Sequence, residues 1–287
     1  MEFDLENPLP PSNEKYPSLF QIESDHMPSN TYLQNLNSEG SNLSVRRGIV
    51  SSIFNFSPDF DPFLSYLAIN YMDRFLSIHP MPDGKPWIFK LVAISCISLA
   101  LKMRKTEYSV SDLMQDGGFM FDSATIGRME MLILGALKWR MRSTNPFCFV
   151  DYFIQFLKLK KKSLIQALKN RANEIILKAQ HDINLLLFKP SIIAASALLY
   201  ATNDLFHIQF ASFRNAVCSC SYVDKEEFSQ CYDMMQDVAM EGYDPVWFMA
   251  SSSCTPANVL DLNYLSSSVS GSGSQRVADS EKNAGEN

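Results

Sequence analysis

Long apolar runs are missing from this sequence. Its greasiest stretch, residues 85–105 (KPWIFKLVAISCISLALKMRK), is uncharged only from 91 to 101, far short of the roughly 20 residues that cross a bilayer. Lys90 and Lys102 bracket that run, so no membrane contact is expected. Positive charge is also scarce. Against 31 acidic residues stand 25 Lys and Arg, a net charge of -6 with a pI near 5.3, whereas a protein working mainly on phosphate backbones usually presents a basic surface. Nucleic acid is therefore not an expected partner. The four histidines (His26, His79, His181, His207) stand alone, and no Asp-rich motif or nucleophile beside a base accompanies them, so acid–base or nucleophilic catalysis finds no support. Six cysteines (Cys96, Cys148, Cys218, Cys220, Cys231, Cys254) are scattered. Cys218, Cys220 and Cys231 come nearest to a ligand set, but no Cys-x-x-Cys pair or nearby histidine completes it. No metal or cofactor is expected. No basic-then-apolar leader opens the chain, so the thiols are expected reduced, in the cytosol or nucleus.

What the sequence has is apolar helix. At 287 residues, 46% hydrophobic and 20% charged, it suits one large domain or two of ordinary size. The stretch 85–105 is apolar on every side, so other helices must wrap it. Pro86 suits its first turn, where a missing N–H costs nothing. In order, the pattern predicts helices over 45–56, 63–78, 85–105, a short polar one near 109–115, and one capped by Asp122 running to about Trp139. After Pro146 the pattern restarts: helices over 147–159, 163–188, one opened by Lys189-Pro190, one near 209–217 and a last over 224–241. No strand is expected. The second centre, KPSIIAASALLYA (189–201), echoes KPWIFKLVAISCI (85–97), with Pro86 and Pro190 separated by 104 positions. That echo suggests a duplicated five-helix unit. The expected division is a flexible arm (1–44), a first unit (45–143), a second (144–250) and a disordered tail (251–287) holding ten serines. Such ends attract proteolysis, and deleting both is expected to lengthen the protein's lifetime.

Charges placed awkwardly are the candidate functional residues. Lys102 closes the apolar helix, and Glu130 shares a stripe with Ile126, Leu134 and Leu137. They form an internal ion pair or a solvated helix edge, or else an interface gripping another protein. Arg46 and Asp73, on successive helices, read as a structural pair that locks the helix angle.

Three stretches, SYLAINYMDRFLS (65–77), SLALKM (98–103) and RMEMLILGALKW (128–139), resemble in this order the cyclin box of D-type cyclins, most closely the divergent sixth subgroup in plants. The resemblance extends over both five-helix units. It implies an all-α fold of two tandem cyclin boxes, and a regulatory subunit, not itself an enzyme, that binds and activates a cyclin-dependent kinase in cell division. The family's kinase-gripping pair falls at Lys102 and Glu130, its apolar contacts at Leu99, Met103, Leu134 and Trp139, and its buried pair at Arg46 and Asp73. The resemblance also implies the nucleus, alone or together with the cytoplasm. A substrate-docking patch would fall at Val45, Ile49 and Ser52, with a serine where the family has an aromatic anchor. The arm lacks Leu-x-Cys-x-Glu, having Leu19, Gln21 and Glu23 instead, so a retinoblastoma-like protein is not expected to dock there. Arg104-Lys105 replaces the family's acidic pair after Met103. Two-box relatives that bind DNA are the alternative, with the lysines at 158 and 160–162 as their best support.

Overall fold

Every residue from 91 to 101 is buried, and so is every residue from 190 to 199; these are the two all-round apolar stretches of the sequence, and each is the axis of a bundle. The computed structural model describes residues 16–29, 31–33, 36, 40–55, 62–79, 85–104 and 121–240. Its helices are α1 (Tyr16–Ile22), α2 (Gly40–Asn55), α3 (Pro62–Ile78), α4 (Pro86–Met103), α5 (Ser123–Ala136), α6 (Phe147–Ile154), α7 (Lys162–Ala179), α8 (Pro190–Leu205), α9 (His207–Cys218) and α10 (Lys225–Met240), with short 3-10 turns at Glu23–His26, Gln155–Leu157 and Ile183–Leu187. No strand occurs among the described residues. All of these helices lie in one contact unit, Met1–Trp247.

Helices α4 and α8 both open with proline in the first turn. Around α4 pack α2, α3 and α5; around α8 pack α6, α7, α9 and α10. The expected helix near 109–115 and the tail over 251–287 lie outside the described residues. The single helix expected over 163–188 is instead α7 followed by a 3-10 turn. Asp182 accepts the Asn184 N–H at 2.9 Å, a local turn that competes with continued helix, and the Gln180 carbonyl is taken by Arg46 rather than by a following turn.

The arm expected over residues 1–44 differs from that expectation where it is described. Tyr16 and Glu23 are buried in and beside α1, and Leu19 and Phe20 pack on the core. Phe20 stacks on Tyr222 with centroids 4.4 Å apart and packs against Phe149 at 4.8 Å. Composition suggested too few apolar residues to order this segment, but those present are large, and they share one helix face. Helix α2 likewise begins at Gly40, inside the expected arm.

Two histidines, His26 buried and His181 half-buried, make the fold acid-sensitive. Burial holds His26 down to about 4, helped by the positive Arg74; burial and Arg46 do the same to His181, whose ring stacks on Phe54 at 5.1 Å. Both are neutral in the folded chain and take up a proton on unfolding below their ordinary 6.5. Stability should therefore fall as pH drops from about 6.5 to 4, by roughly 1–2 kcal/mol per histidine once partial solvent access is allowed for. Glu23, raised chiefly by burial, works in the opposite sense below neutrality and softens the slope. Thermal unfolding followed from pH 7 to 4.5 checks this; a flat melting temperature would contradict it.

Candidate kinase-binding rim

Helix α5 starts where Asp122 accepts the Thr125 N–H, a side-chain cap that fixes the register of everything after it. Ile126, Glu130 and Ile133 then recur on the face turned to α4 and are buried. On α4, Ser98 and Lys102 are four residues apart and so share the face that meets them. The ammonium of Lys102 donates to both carboxylate oxygens of Glu130, at 2.7 and 2.6 Å, and the Ser98 hydroxyl donates to the same carboxylate. Glu130 is 8% exposed, whereas the Lys102 side chain is 62% exposed. The acid is thus anchored inside, and the base lies across the rim with room for further contacts.

Around this pair the apolar positions separate into two depths. Met103 and Leu134 are half-buried beside it. Leu99, one turn before Met103, is 5% exposed and belongs to the core beneath the rim; it offers no surface. Trp139 is 65% exposed and Met131, beside Glu130 on α5, is 58% exposed. Arg104 lies over the ring of Phe63 at 4.9 Å, and Lys105 is outside the described residues.

The backbone that presents Trp139 is unusual. Lys138 and Trp139 both have φ in the left-handed region, 52° and 58°, where side-chained residues cost about 1–2 kcal/mol each. The turn is held from several sides. Trp139 N–H bonds to the Leu134 carbonyl at 2.9 Å and Lys138 N–H to that of Gly135 at 3.1 Å. From α3, the Tyr71 hydroxyl donates to the Met141 carbonyl, and Arg74 donates to the Arg140 carbonyl at 3.1 Å and to the Ser143 hydroxyl at 2.9 Å. Sequence reasoning missed Ser98, Tyr71 and Arg74. Ser98 carried a signal, a hydroxyl four residues before Lys102 in an otherwise apolar turn; Tyr71 and Arg74 carried none, because their acceptors are backbone and hydroxyl groups 66 to 70 positions away.

Arg46 and Asp73 meet in the structure. The guanidinium donates two-pronged, Nε to Oδ1 at 2.8 Å and Nη2 to Oδ2 at 2.7 Å, with both side chains 1% exposed. Burial pushes the Arg46 pKa down, but Asp73 and Tyr32 outweigh it and the net shift is upward. Of the three docking-patch positions, Val45 is half-buried and Ile49 is 6% exposed; the Ser52 side chain lies outside the described residues. Ile49 is a core residue here and presents no anchor. Among the described residues no three His, Cys, Asp or Glu side chains converge on a cation site, and Cys220 is instead within 3.5 Å of the Tyr152 hydroxyl.

Residues 14–142 match the model of the cyclin N-terminal domain, and residues 144–251 that of the cyclin C-terminal domain. The chain is 45% identical over 282 residues to a cyclin-D6-1 sequence of Arabidopsis thaliana, covering 93% of this chain and 92% of that one. It is 36% identical over 279 residues to cyclin-D6-1 of Oryza sativa subsp. japonica, covering 94% and 84%. Among solved structures, the viral cyclin of herpesvirus saimiri superposes with a TM-score of 0.59 at 19% identity, over 72% of this chain and 88% of that chain. A chain of the CAK complex of Chaetomium thermophilum bound to ATP-γ-S superposes with a TM-score of 0.51 at 17% identity, over 76% and 74%. At such identities the two structures speak for the fold alone.

Proposed function

The chain belongs to the cyclin family, with plant D-type cyclins among its relatives, and on that footing we propose that it binds and activates a cyclin-dependent protein kinase to promote cell-cycle progression. The cyclin fold is regulatory rather than catalytic, so the chemistry belongs to the partner. The supporting observation is the asymmetric pair at the α4–α5 rim, an exposed Lys102 ammonium steadied by a buried Glu130. A kinase helix arriving there finds a fixed positive group, the half-buried Met103 and Leu134, and the exposed Met131 and Trp139.

Activation follows from differential binding. A kinase needs an internal Lys–Glu pair in place to position phosphates, and a partner that binds the assembled state better than the open one shifts the population toward it. Leu99 contributes by filling the floor beneath the rim. The protein works in the nucleus, alone or together with the cytoplasm. Docking of a retinoblastoma-like protein through residues 19–23 is not part of this reading, since that stretch is helix and turn with Glu23 buried.

Co-purification with cyclin-dependent kinases tests the site. Lys102→Glu places two carboxylates together at the rim and Glu130→Ala frees the lysine; each should lose about 2–5 kcal/mol of binding, on the order of 30-fold or more in affinity. Circular dichroism and unchanged melting separate a lost contact from a lost fold. Full kinase binding and activation by both folded variants would remove the assignment.

A further inference from the structure

Between Asp151 and Glu174 the chain has six basic residues and no acidic one, in a protein whose net charge is -6. Four of the six are packed into five positions, Lys158, Lys160, Lys161 and Lys162, and all four are exposed. They occupy the connection from the 3-10 turn after α6 to the start of α7. Residues 158–161 are neither helix nor strand. Lys158 is left-handed at φ 51°, and Lys161 is extended at φ -83°, ψ 121°. Leu157 and Leu159 pack against the core on either side of Lys158, so the loop is anchored by its leucines and the lysines project. The one carboxylate near its start, Asp151, is engaged by Lys169. None of the four ammonium groups has a hydrogen-bond or ion-pair partner among the described residues.

We propose that this lysine loop is the protein's nuclear import signal, an exposed basic segment gripped by the acidic groove of a nuclear import carrier. Short lysine clusters serve this purpose or bind polyanions, and the geometry discriminates between the two. A nucleic-acid site spreads its charge over a face to follow a phosphate backbone; here four lysines are gathered within five positions of one exposed loop on an acidic molecule. A membrane-surface segment exposes apolar side chains beside its lysines; here the leucines face inward. A narrow groove with carboxylates on its walls fits a single exposed loop of lysines. The field of the cluster reaches about 8 Å at physiological salt, which suits a carrier that must recognise it at close range.

The inference rests on the nuclear placement proposed above, and the experiment tells the two apart. The full chain, fused to a reporter too large to diffuse through nuclear pores, is expressed in plant cells as the native sequence, as Lys160→Ala/Lys161→Ala/Lys162→Ala, and as the corresponding triple arginine variant. All three are also made with Lys102→Glu, so that a kinase cannot carry the chain in. The expected result is nuclear signal for the native and arginine forms and a several-fold lower nuclear-to-cytoplasmic ratio for the alanine form, with unchanged melting of the purified proteins. Undiminished accumulation of the alanine form overturns the signal while leaving the nuclear placement standing. A native chain that is never nuclear overturns both. Binding of the purified native chain, but not the alanine form, to phosphatidylserine vesicles or single-stranded RNA, with localisation unaffected, assigns the loop to a polyanion and overturns the proposal.

Discussion

Arg46→Ala is expected to destabilise the chain by about 3–5 kcal/mol, because it breaks a fully buried ion pair from one side. The arginine joins four parts of the molecule. It is on α2, its carboxylate partner is on α3, the Tyr32 hydroxyl donates to the same carboxylate at 3.0 Å, and Nη1 and Nη2 both reach the Gln180 carbonyl at 3.1 Å, just after α7. Gln180 in turn donates to the Tyr66 carbonyl on α3 at 3.2 Å. Truncation would strand the Asp73 carboxylate in a site 1% exposed and leave the Gln180 carbonyl without these donors. Set against a typical domain stability of about 5–15 kcal/mol, that is a large share. Lysine cannot reproduce the two-pronged geometry, so Arg46→Lys should recover only part of the loss. Replacing both partners, Arg46→Met with Asp73→Leu, should cost less than the sum of Arg46→Met and Asp73→Leu made singly, since no charge is left unpaired. Chemical denaturation of the four proteins measures this, and strictly additive losses would refute the coupling.

The parts of the molecule legible in the sequence are those set by local pattern. Prolines at Pro86 and Pro190, opening stretches apolar on every side, announced α4 and α8 as central helices, and Asp122 announced the start of α5. The Lys102–Glu130 and Arg46–Asp73 pairs were legible as charge on apolar stripes, the first with an interface as its other reading. Depth was not legible. Leu99 and Trp139 both belonged to the same apolar contact set, yet one is in the core and the other beyond the helix end in a left-handed turn. The end of α7 was missed because its cause, a guanidinium taking the Gln180 carbonyl, lies 134 positions earlier. The ordered N-terminal segment was missed for a similar reason, since its partners Phe149, Tyr152, Ser191 and Tyr222 all lie more than 100 residues further along.

Removing residues 1–29 is therefore expected to shorten the life of the protein, whereas composition alone suggested that trimming the arm would lengthen it. Glu23 does for α8 what its own N-cap residue, Lys189, cannot. It accepts the Ser191 N–H at 2.8 Å and the Ser191 hydroxyl at 2.9 Å, satisfying a backbone donor at the buried start of the helix that centres the second box. The burial this requires raises the Glu23 pKa against the pull of those bonds and of Lys189, so the cap holds only while the surrounding apolar contacts persist. Those contacts come from Tyr16, 4.8 Å from Tyr152, and from Phe20 among Phe149, Tyr152, Phe153 and Tyr222. Re-exposing large apolar side chains costs about 1.5–3 kcal/mol each, and an uncapped buried N–H a further 1–3 kcal/mol. Together these rival a whole domain's stability, so the truncated chain should melt far below the intact one and be cleared faster in cells. Glu23→Ala isolates the cap and should cost only its own part, and Glu23→Gln, which keeps one acceptor, less still. Deletion of 251–287 removes none of these contacts and should leave the melting temperature unchanged while lengthening the lifetime. A truncation lacking residues 1–29 that melts with the intact chain and outlives it would show that α1 rests on the second box without supporting it.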